Sequence, residues 1–322
     1  KNERKAVEWL SKAAELGGGI RTYTDIRKLL ECNDIDAVSI AVPNHWHALA
    51  TVWACQAGKD VYVEKPASHN IFEGRKMVEA ARKYNKIVQC GMQCRSSIGL
   101  RQAVEYVRSG RLGKILVVRG FCYKQRKSIG LVDGPQPVPA CIDYDIWCGP
   151  APKDPPRRNG KTGAVHYDWH WFWAYGNGDF GNQGPHQVDI ARWFLGEDAM
   201  APFSMAVGGR LGYKDSAETP NTMVVYHGYK IPMIFDVRGL PVNKASQSAE
   251  GDNNWKMDNY RGVSIGDVIE CENGYVVIPS YTEAIIHDKD GRVVQEFDGR
   301  KGKADDAVKT PTGLSAESVG HH

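Results

Sequence analysis

The sequence predicts two domains: an α/β unit built on a parallel sheet, then an α+β unit built on a large, mainly antiparallel sheet. Three observations carry this. The length, 322 residues, exceeds the roughly 250–300 at which a single hydrophobic core stops growing. The first third alternates short β-branched runs with helical patterns of about 10–15 residues, the spacing of parallel βαβ units. From residue 203 onward short strands are separated by hairpin chemistry, as at Glu272-Asn-Gly274 and Lys289-Asp-Gly291. The expected domain limits are 1–113 and 114–322.

Residues 3–16 (Ala6, Val7, Leu10, Ala13, Ala14) read as a helix with one apolar face, and a second helix covers about 24–31 with Thr24 or Asp25 as its N-cap. Asp36–Val42 is a buried strand that ends at Pro43-Asn44. His47–Ala57 is a helix rich in small apolar residues, closed by Gly58. The strand Asp60-Val-Tyr-Val63 runs straight into Glu64-Lys65-Pro66, followed by a helix at 71–84 and a strand at 87–91. These units make half of a dinucleotide-binding, Rossmann-type fold without its first strands. A helix at 98–109 leads to the strand 115–123. Residues 124–165 hold seven of the 16 prolines and little periodicity, which marks a long functional loop with Tyr144-Asp-Ile-Trp147 anchoring its middle. A helix at 186–195 precedes strands at 203–208, 222–227, 231–237, 263–270, 275–278, 283–288 and 292–297.

Composition excludes several classes. The formal net charge is only +3 and no run of basic residues occurs, so no nucleic-acid partner is expected. No apolar stretch approaches the roughly 18 residues of a membrane span. The eight cysteines form no CxxC pair, the nearest being Cys90 and Cys94, so small buried hydrophobes are expected rather than a zinc site or disulfides. The chain opens at Lys1 with a helix under way and closes on Gly320-His321-His322, and it reads as truncated at both ends. The compartment, cytoplasm or periplasm, stays open.

Three constellations carry chemistry. Pro66 has no N–H and biases Lys65 toward an extended backbone. An ammonium is thereby delivered to the carboxyl end of a strand, the edge where open α/β sheets bind ligands; the alternative is an exposed lysine in an ordinary loop. In Gly176-Asn-Gly-Asp-Phe-Gly-Asn-Gln-Gly-Pro-His186, a glycine-rich turn leads to a helix with His186 in its first turn and Asp189 on the same face. That His suits proton exchange, or it merely hydrogen-bonds within a capped helix. In His166-Tyr-Asp-Trp-His-Trp-Phe-Trp173, an extended backbone would put Trp169, Trp171 and Trp173 on one face and His170 on the other. An indole face suits a sugar ring and equally suits a domain-interface core. His166, Asp168 and His170 have spacings a metal uses, but no metal is expected, because such a site needs three or four converging ligands. No GxGxxG occurs, and Gly17-Gly-Gly19 fits a helix end. The choice between NAD and NADP is therefore open.

In this order, Pro43-Asn44-x-x-His47, Glu64-Lys65-Pro66, the segment through Gln93 and the Gly-rich turn with Gly184-x-His186-x-x-Asp189 resemble the glucose–fructose oxidoreductase/inositol dehydrogenase/MocA family. The resemblance implies that Pro43, Asn44 and His47 line the dinucleotide site. It places Glu64 and Lys65 beside the nicotinamide with Gln93 near by, and makes His186 the proton-transfer residue. Where the family commonly has Asp four residues before this His, the chain has Asn182. An amide orients a ring but does not stabilise an imidazolium by charge, so Asp179 or Asp189 would substitute, or Lys65 would carry more of the acid–base work. Trp169, His170, Trp171 and Asp179 are the expected substrate contacts.

The resemblance thus implies a dehydrogenase using NAD or NADP on a secondary alcohol of a sugar, glycoside or cyclitol. Lys65, His186 and Asn182 would stand at the reacting centre. Redox-assisted glycoside cleavage and a catalytically weak sugar or nucleotide sensor are the alternatives on the same scaffold. Self-association through the second-domain sheet is a further family-level expectation.

Overall fold

The computed structural model describes residues 21–158, 165–240 and 256–299. The helix expected over 3–16, the Gly17-Gly-Gly19 turn and the tail at Gly320 lie outside the described residues. The N-terminal unit runs α1 (Ile26–Leu30), β1 (Ala37–Ile40), α2 (Asn44–Gln56), β2 (Asp60–Val63), α3 (Ile71–Lys83) and β3 (Val88–Cys90). Its strands pair in parallel in the order β1-β2-β3. Asp25 caps α1 by accepting from the Arg27 N–H, and Asn70 caps α3 by accepting from that of Glu73. The small side chains Ala48, Ala50, Ala54 and Cys55 let α2 lie close on Ile40, Val61 and Val63, with Met77 and Ala80 of α3 completing the core.

The second unit contains α4 (Ile98–Arg108), β4 (Ile115–Cys122), α5 (Tyr144–Cys148), α6 (Gly178–Asn182) and α7 (Gly184–Leu195). Strands β5 (Ser204–Gly209), β6 (Thr222–His227), β7 (Met233–Arg238), β8 (Ile265–Cys271), β9 (Gly274–Ile278), β10 (Glu283–Asp288) and β11 (Val293–Asp298) follow. They join β4 in an eight-stranded sheet ordered β11-β10-β9-β8-β4-β7-β6-β5. Its one parallel pair is β4 with β7, the exception to the antiparallel reading. α4, expected as the last helix of the first domain, buries Leu100, Ala103, Val104 and Val107 with Ile190 and Phe194 of α7 against Ile269, Ile278 and Ile286 of this sheet. The expected limit at 113 thus follows a helix that packs on the second sheet.

Two segments depart from the sequence reading. Residues 168–171 form a 3₁₀ turn rather than an extended strand, so the tryptophans share no face. Trp171 is buried beneath the Arg126 guanidinium at 4.7 Å, Trp169 stacks on His170 at 3.6 Å, and Trp173 is exposed. The short helix α6 had no apolar period to reveal it. The long loop is tied down by Asp215, whose carboxylate accepts from the Ile129 N–H at 2.9 Å and pairs with Arg210 at 2.6 Å. All eight cysteines are unpaired.

α7 lies close on the sheet at Gly120, where a Cβ would lie 2.9 Å from the Gln187 Cβ and 3.1 Å from both Asp267 and Phe235. Gly120→Ala is expected to overpack this contact and cost about 1–3 kcal/mol, read as a lower urea midpoint with an unchanged slope. An unchanged midpoint would mean that α7 does not sit this close.

Candidate active site

The site lies where the carboxyl ends of β1, β2 and β3 meet the segments around α5 and α6. Lys65 follows β2 directly, and the Lys65–Pro66 peptide is cis. The Lys65 Nζ donates to the backbone carbonyl of Asn182 at 2.5 Å and lies 3.4 Å from its Oδ1. Burial lowers the Lys65 pKa, Glu64 acts against this, and Lys124 adds to it. Asn182, at the end of α6, therefore holds the ammonium, and its amide N reaches the Tyr167 hydroxyl only at 3.5 Å.

His47 is 1% exposed. Its Nδ1 lies 2.6 Å from the Pro66 carbonyl and its Nε2 2.7 Å from that of Val42. It thereby ties the loop after β1 to the loop after β2. Burial lowers its pKa, while the two carbonyls favour the charged ring. Asn44, also buried, donates from its Nδ2 to the Asn177 Oδ1 at 3.1 Å. Pro43 precedes α2 and borders a cavity of about 470 Å³ lined also by Val42, Trp46, Trp53, Trp147 and Pro150. Gln93 begins a 3₁₀ turn at the carboxyl end of β3.

His186 lies in the first turn of α7 and packs on Tyr281 with ring centroids 4.9 Å apart. Burial, helped by Lys65, lowers its pKa to about 4. Its Nδ1 is buried with no hydrogen-bond partner. Neither carboxylate expected to orient it does so. Asp179 accepts from the Arg126 Nε at 2.8 Å, and Asp189 accepts from the Arg95 Nε at 2.7 Å. Burial opposes the Arg126 charge, but the hydrogen bonds and field of Asp179 prevail and raise its pKa. Asp179 is 1% exposed and pairs with Arg126.

His170 has its Nδ1 2.5 Å from the Tyr167 carbonyl and its ring flat against Trp169. Burial, with Lys65 and Arg126 acting in the same direction, lowers its pKa to about 4. The two imidazoles, Lys65, Asn182, Tyr167 and the Arg126–Asp179 pair thus gather close together, and the space they border is the candidate substrate cleft. Of these, Tyr167 and Arg126 carried no signal in the sequence. Nor did the residues that join the two units at its rim. The His45 Nε2 donates to the Trp147 carbonyl at 2.9 Å, the Trp46 indole donates to that of Ile146 at 3.0 Å, and the Asn177 Nδ2 donates to that of His69 at 2.9 Å. Among the described residues no group of three His, Cys, Asp or Glu is placed to hold a metal, and no helix is long and apolar enough to cross a membrane.

Comparison with known proteins agrees with this architecture. A family model described as an oxidoreductase family with an NAD-binding Rossmann fold matches residues 5–92, and the model of that family's C-terminal alpha/beta domain matches residues 99–260. Levoglucosan dehydrogenase of Pseudarthrobacter phenanthrenivorans is 26% identical over 77% of this chain and 58% of its own. Rhizopine catabolism protein MocA of Rhizobium meliloti is 25% identical over 56% of this chain and 45% of its own. The chain thus spans about half the length of these relatives. Among solved structures, levoglucosan dehydrogenase in complex with NADH and levoglucosan superposes with a TM-score of 0.61 at 20% identity, over 90% of this chain and 68% of that one. The WlbA dehydrogenase of Bordetella pertussis, in complex with NADH and UDP-GlcNAcA, gives 0.56 at 19% identity, over 92% and 68%. The chain belongs to the glucose–fructose oxidoreductase/inositol dehydrogenase/MocA family of oxidoreductases, with the NAD-binding Rossmann domain first and the C-terminal α/β domain after it.

Proposed function

We propose that the protein is a nicotinamide-dependent dehydrogenase acting on a secondary alcohol of a sugar, glycoside or cyclitol. The observation that carries this is a half-buried ammonium at the carboxyl end of β2, held by Asn182 beside two neutral imidazoles. That combination suits a developing alkoxide and the proton it releases. The relatives' names point to the same substrate class: one acts on levoglucosan, others are inositol 2-dehydrogenases.

The residues present fit the cofactor. The 470 Å³ cavity beside Pro43 is walled by indoles and opens at the amino end of α2, a terminus that favours anionic groups. Glu64, Lys65 and Gln93, at the ends of β2 and β3, would hold the nicotinamide half, and Pro43 and Asn44 the other. His47 would act through the loops that it fixes. When bound, the nicotinamide supplies the acceptor or donor of hydride. The Lys65 ammonium, next to the substrate oxygen, stabilises negative charge there. The hydroxyl proton passes to a neutral imidazole of the cleft. The indole of Trp169, backing His170, offers the sugar-facing aromatic surface. Self-association through the second sheet belongs to the same reading, because β5 exposes Met205 and Val207; a single monomeric mass in sedimentation would remove it.

The test is absorbance near about 340 nm, where reduced nicotinamide absorbs, while the full natural chain meets a panel of sugars and cyclitols with NAD and then NADP. Sugar-dependent reduction establishes the activity. Binding without reduction would favour a sensor, and release of an aglycone would favour redox-assisted glycoside cleavage. Lys65→Ala is expected to lower kcat by about 10²–10³-fold, and a variant with unchanged kcat would remove Lys65 from the reacting centre.

The pH profile follows from the same environments. His170 and His186 have pKa values of about 4, below the ordinary 6.5. Both rings are therefore neutral well into mild acid, and the acid limb of kcat/KM is expected near pH 4 rather than 6.5. Between those values the unfolded chain binds more protons than the native one. The stability contributed by the neutral rings is thus complete above 6.5 and lost as the pH falls toward 4. An acid limb at the ordinary histidine pKa would show that these rings are not desolvated.

A further inference from the structure

The two imidazoles of the cleft have opposite hydrogen-bonding surroundings. The His170 Nδ1 lies 2.5 Å from a carbonyl oxygen, that of Tyr167. A carbonyl only accepts, so the ring proton of a neutral His170 sits on Nδ1 and leaves Nε2 as a bare lone pair. Stacking on Trp169 at 3.6 Å, with 20° between the planes, holds the ring in that orientation. His186 is the reverse. Its Nδ1 is buried without a partner. A buried N–H left unmet costs its full desolvation, so the single ring proton sits on Nε2, where substrate or water meets it. Among the described residues no hydrogen bond to either Nε2 is present.

We propose that His170, through Nε2, is the proton acceptor of the cleft, and that His186 serves the substrate as an Nε2–H donor. This rests on the dehydrogenase reading, and it departs from the expectation that His186 moves the proton. In the oxidation step the substrate C–H bond breaks and its electron pair leaves as hydride to the oxidised nicotinamide. The O–H bond breaks, its proton joins His170 Nε2, and the oxygen electrons form the C=O double bond. His186 keeps its proton throughout and hydrogen-bonds the substrate. The charge on the His170 imidazolium is met by Asp179 and opposed by Lys65 and Arg126, so it is short-lived and returns its proton to solvent. The groups acting on His186 are Lys65 and Asp189, with the Tyr281 ring packed on it. The difference explains why the missing carboxylate at position 182 is tolerated: a donor that never becomes an imidazolium needs no anionic partner.

Two measurements test this on the full chain. Long-range proton–nitrogen NMR at neutral pH, with ring signals assigned by His170→Gln and His186→Gln, reads the tautomers without any turnover. The expected pattern is Nδ1–H for His170 and Nε2–H for His186. The same tautomer in both rings, or an imidazolium in either, overturns the proposal. In kinetics, a glutamine at 170 accepts a hydrogen bond but takes no proton. His170→Gln should lower kcat by about 10²–10⁴-fold, leave KM within about threefold and erase the acid limb. A glutamine amide at 186 still donates, so His186→Gln should cost less than about tenfold. The opposite ranking overturns the assignment. A wild-type chain that shows the expected tautomers but reduces no nicotinamide with any sugar overturns the dehydrogenase reading, and the role of base falls with it while the tautomers stand.

Discussion

The hydrogen bond from the Lys65 ammonium to the Asn182 carbonyl is the contact on which the rest of the site depends. It joins the parallel sheet to the α6–α7 turn and so fixes one domain's cation relative to the other domain's imidazoles. Withdrawing an ammonium from water is costly unless acceptors replace the lost hydration. Three N–H bonds are available, and Asn182 offers acceptors for two of them, its carbonyl at 2.5 Å and its Oδ1 at 3.4 Å. What capacity remains is directed to the cleft. The geometry is held from behind by His47, which ties the loop after β1 to the loop after β2. The buried His47 thereby helps to set where Lys65 stands.

Charge in the cleft is organised by removing carboxylates from it. Asp179 is spent on Arg126 and Asp189 on Arg95. Position 182 bears an amide where the family commonly has an acid. The Asn182 Oδ1 lies 3.4 Å from the Lys65 Nζ, so an aspartate there would add a full negative charge beside the ammonium. Asn182 holds the ammonium without neutralising it. Burial and Lys65 together lower the pKa of both imidazoles, against the smaller opposing pull of Asp179 on His170 and of Asp189 on His186. The amide at 182 thus leaves the ammonium its charge and His186 without an anionic partner on that side.

Much of the fold was legible because its cues are local. The β-branched runs ending in Pro43 and Pro66, the small-residue helix between them and the Asn-Gly and Asp-Gly turns specify strand, helix and hairpin within a few residues. Lys65 was legible for the same reason, since strand, cation and proline adjoin in the chain. The partner sets were not. Arg126 lies 53 residues from Asp179 and Arg95 lies 94 from Asp189, and no spacing rule links residues brought together by tertiary packing. The aromatic segment misled for a physical reason: alternating indoles fit a strand, but Trp171 gains more by burial under Arg126 and beside Phe172 and Tyr175 than by facing solvent. That demand turns residues 168–171 into a 3₁₀ coil.

The same turn gives the aromatic segment its function. Coiling brings the Tyr167 carbonyl back onto the His170 Nδ1, which an extended strand would send to opposite sides. Tyr167 accepts a left-handed backbone, φ +53°, to do so. Such a conformation is unfavourable for a bulky residue and persists only where its surroundings impose it. Here they are the Trp169–His170 stack on one side and the buried Trp171 on the other. Burying one indole thus strains the residue before the turn, and the strained residue fixes the proton on one nitrogen of His170. The chemistry assigned to that ring follows from how its neighbours pack, not from the histidine alone.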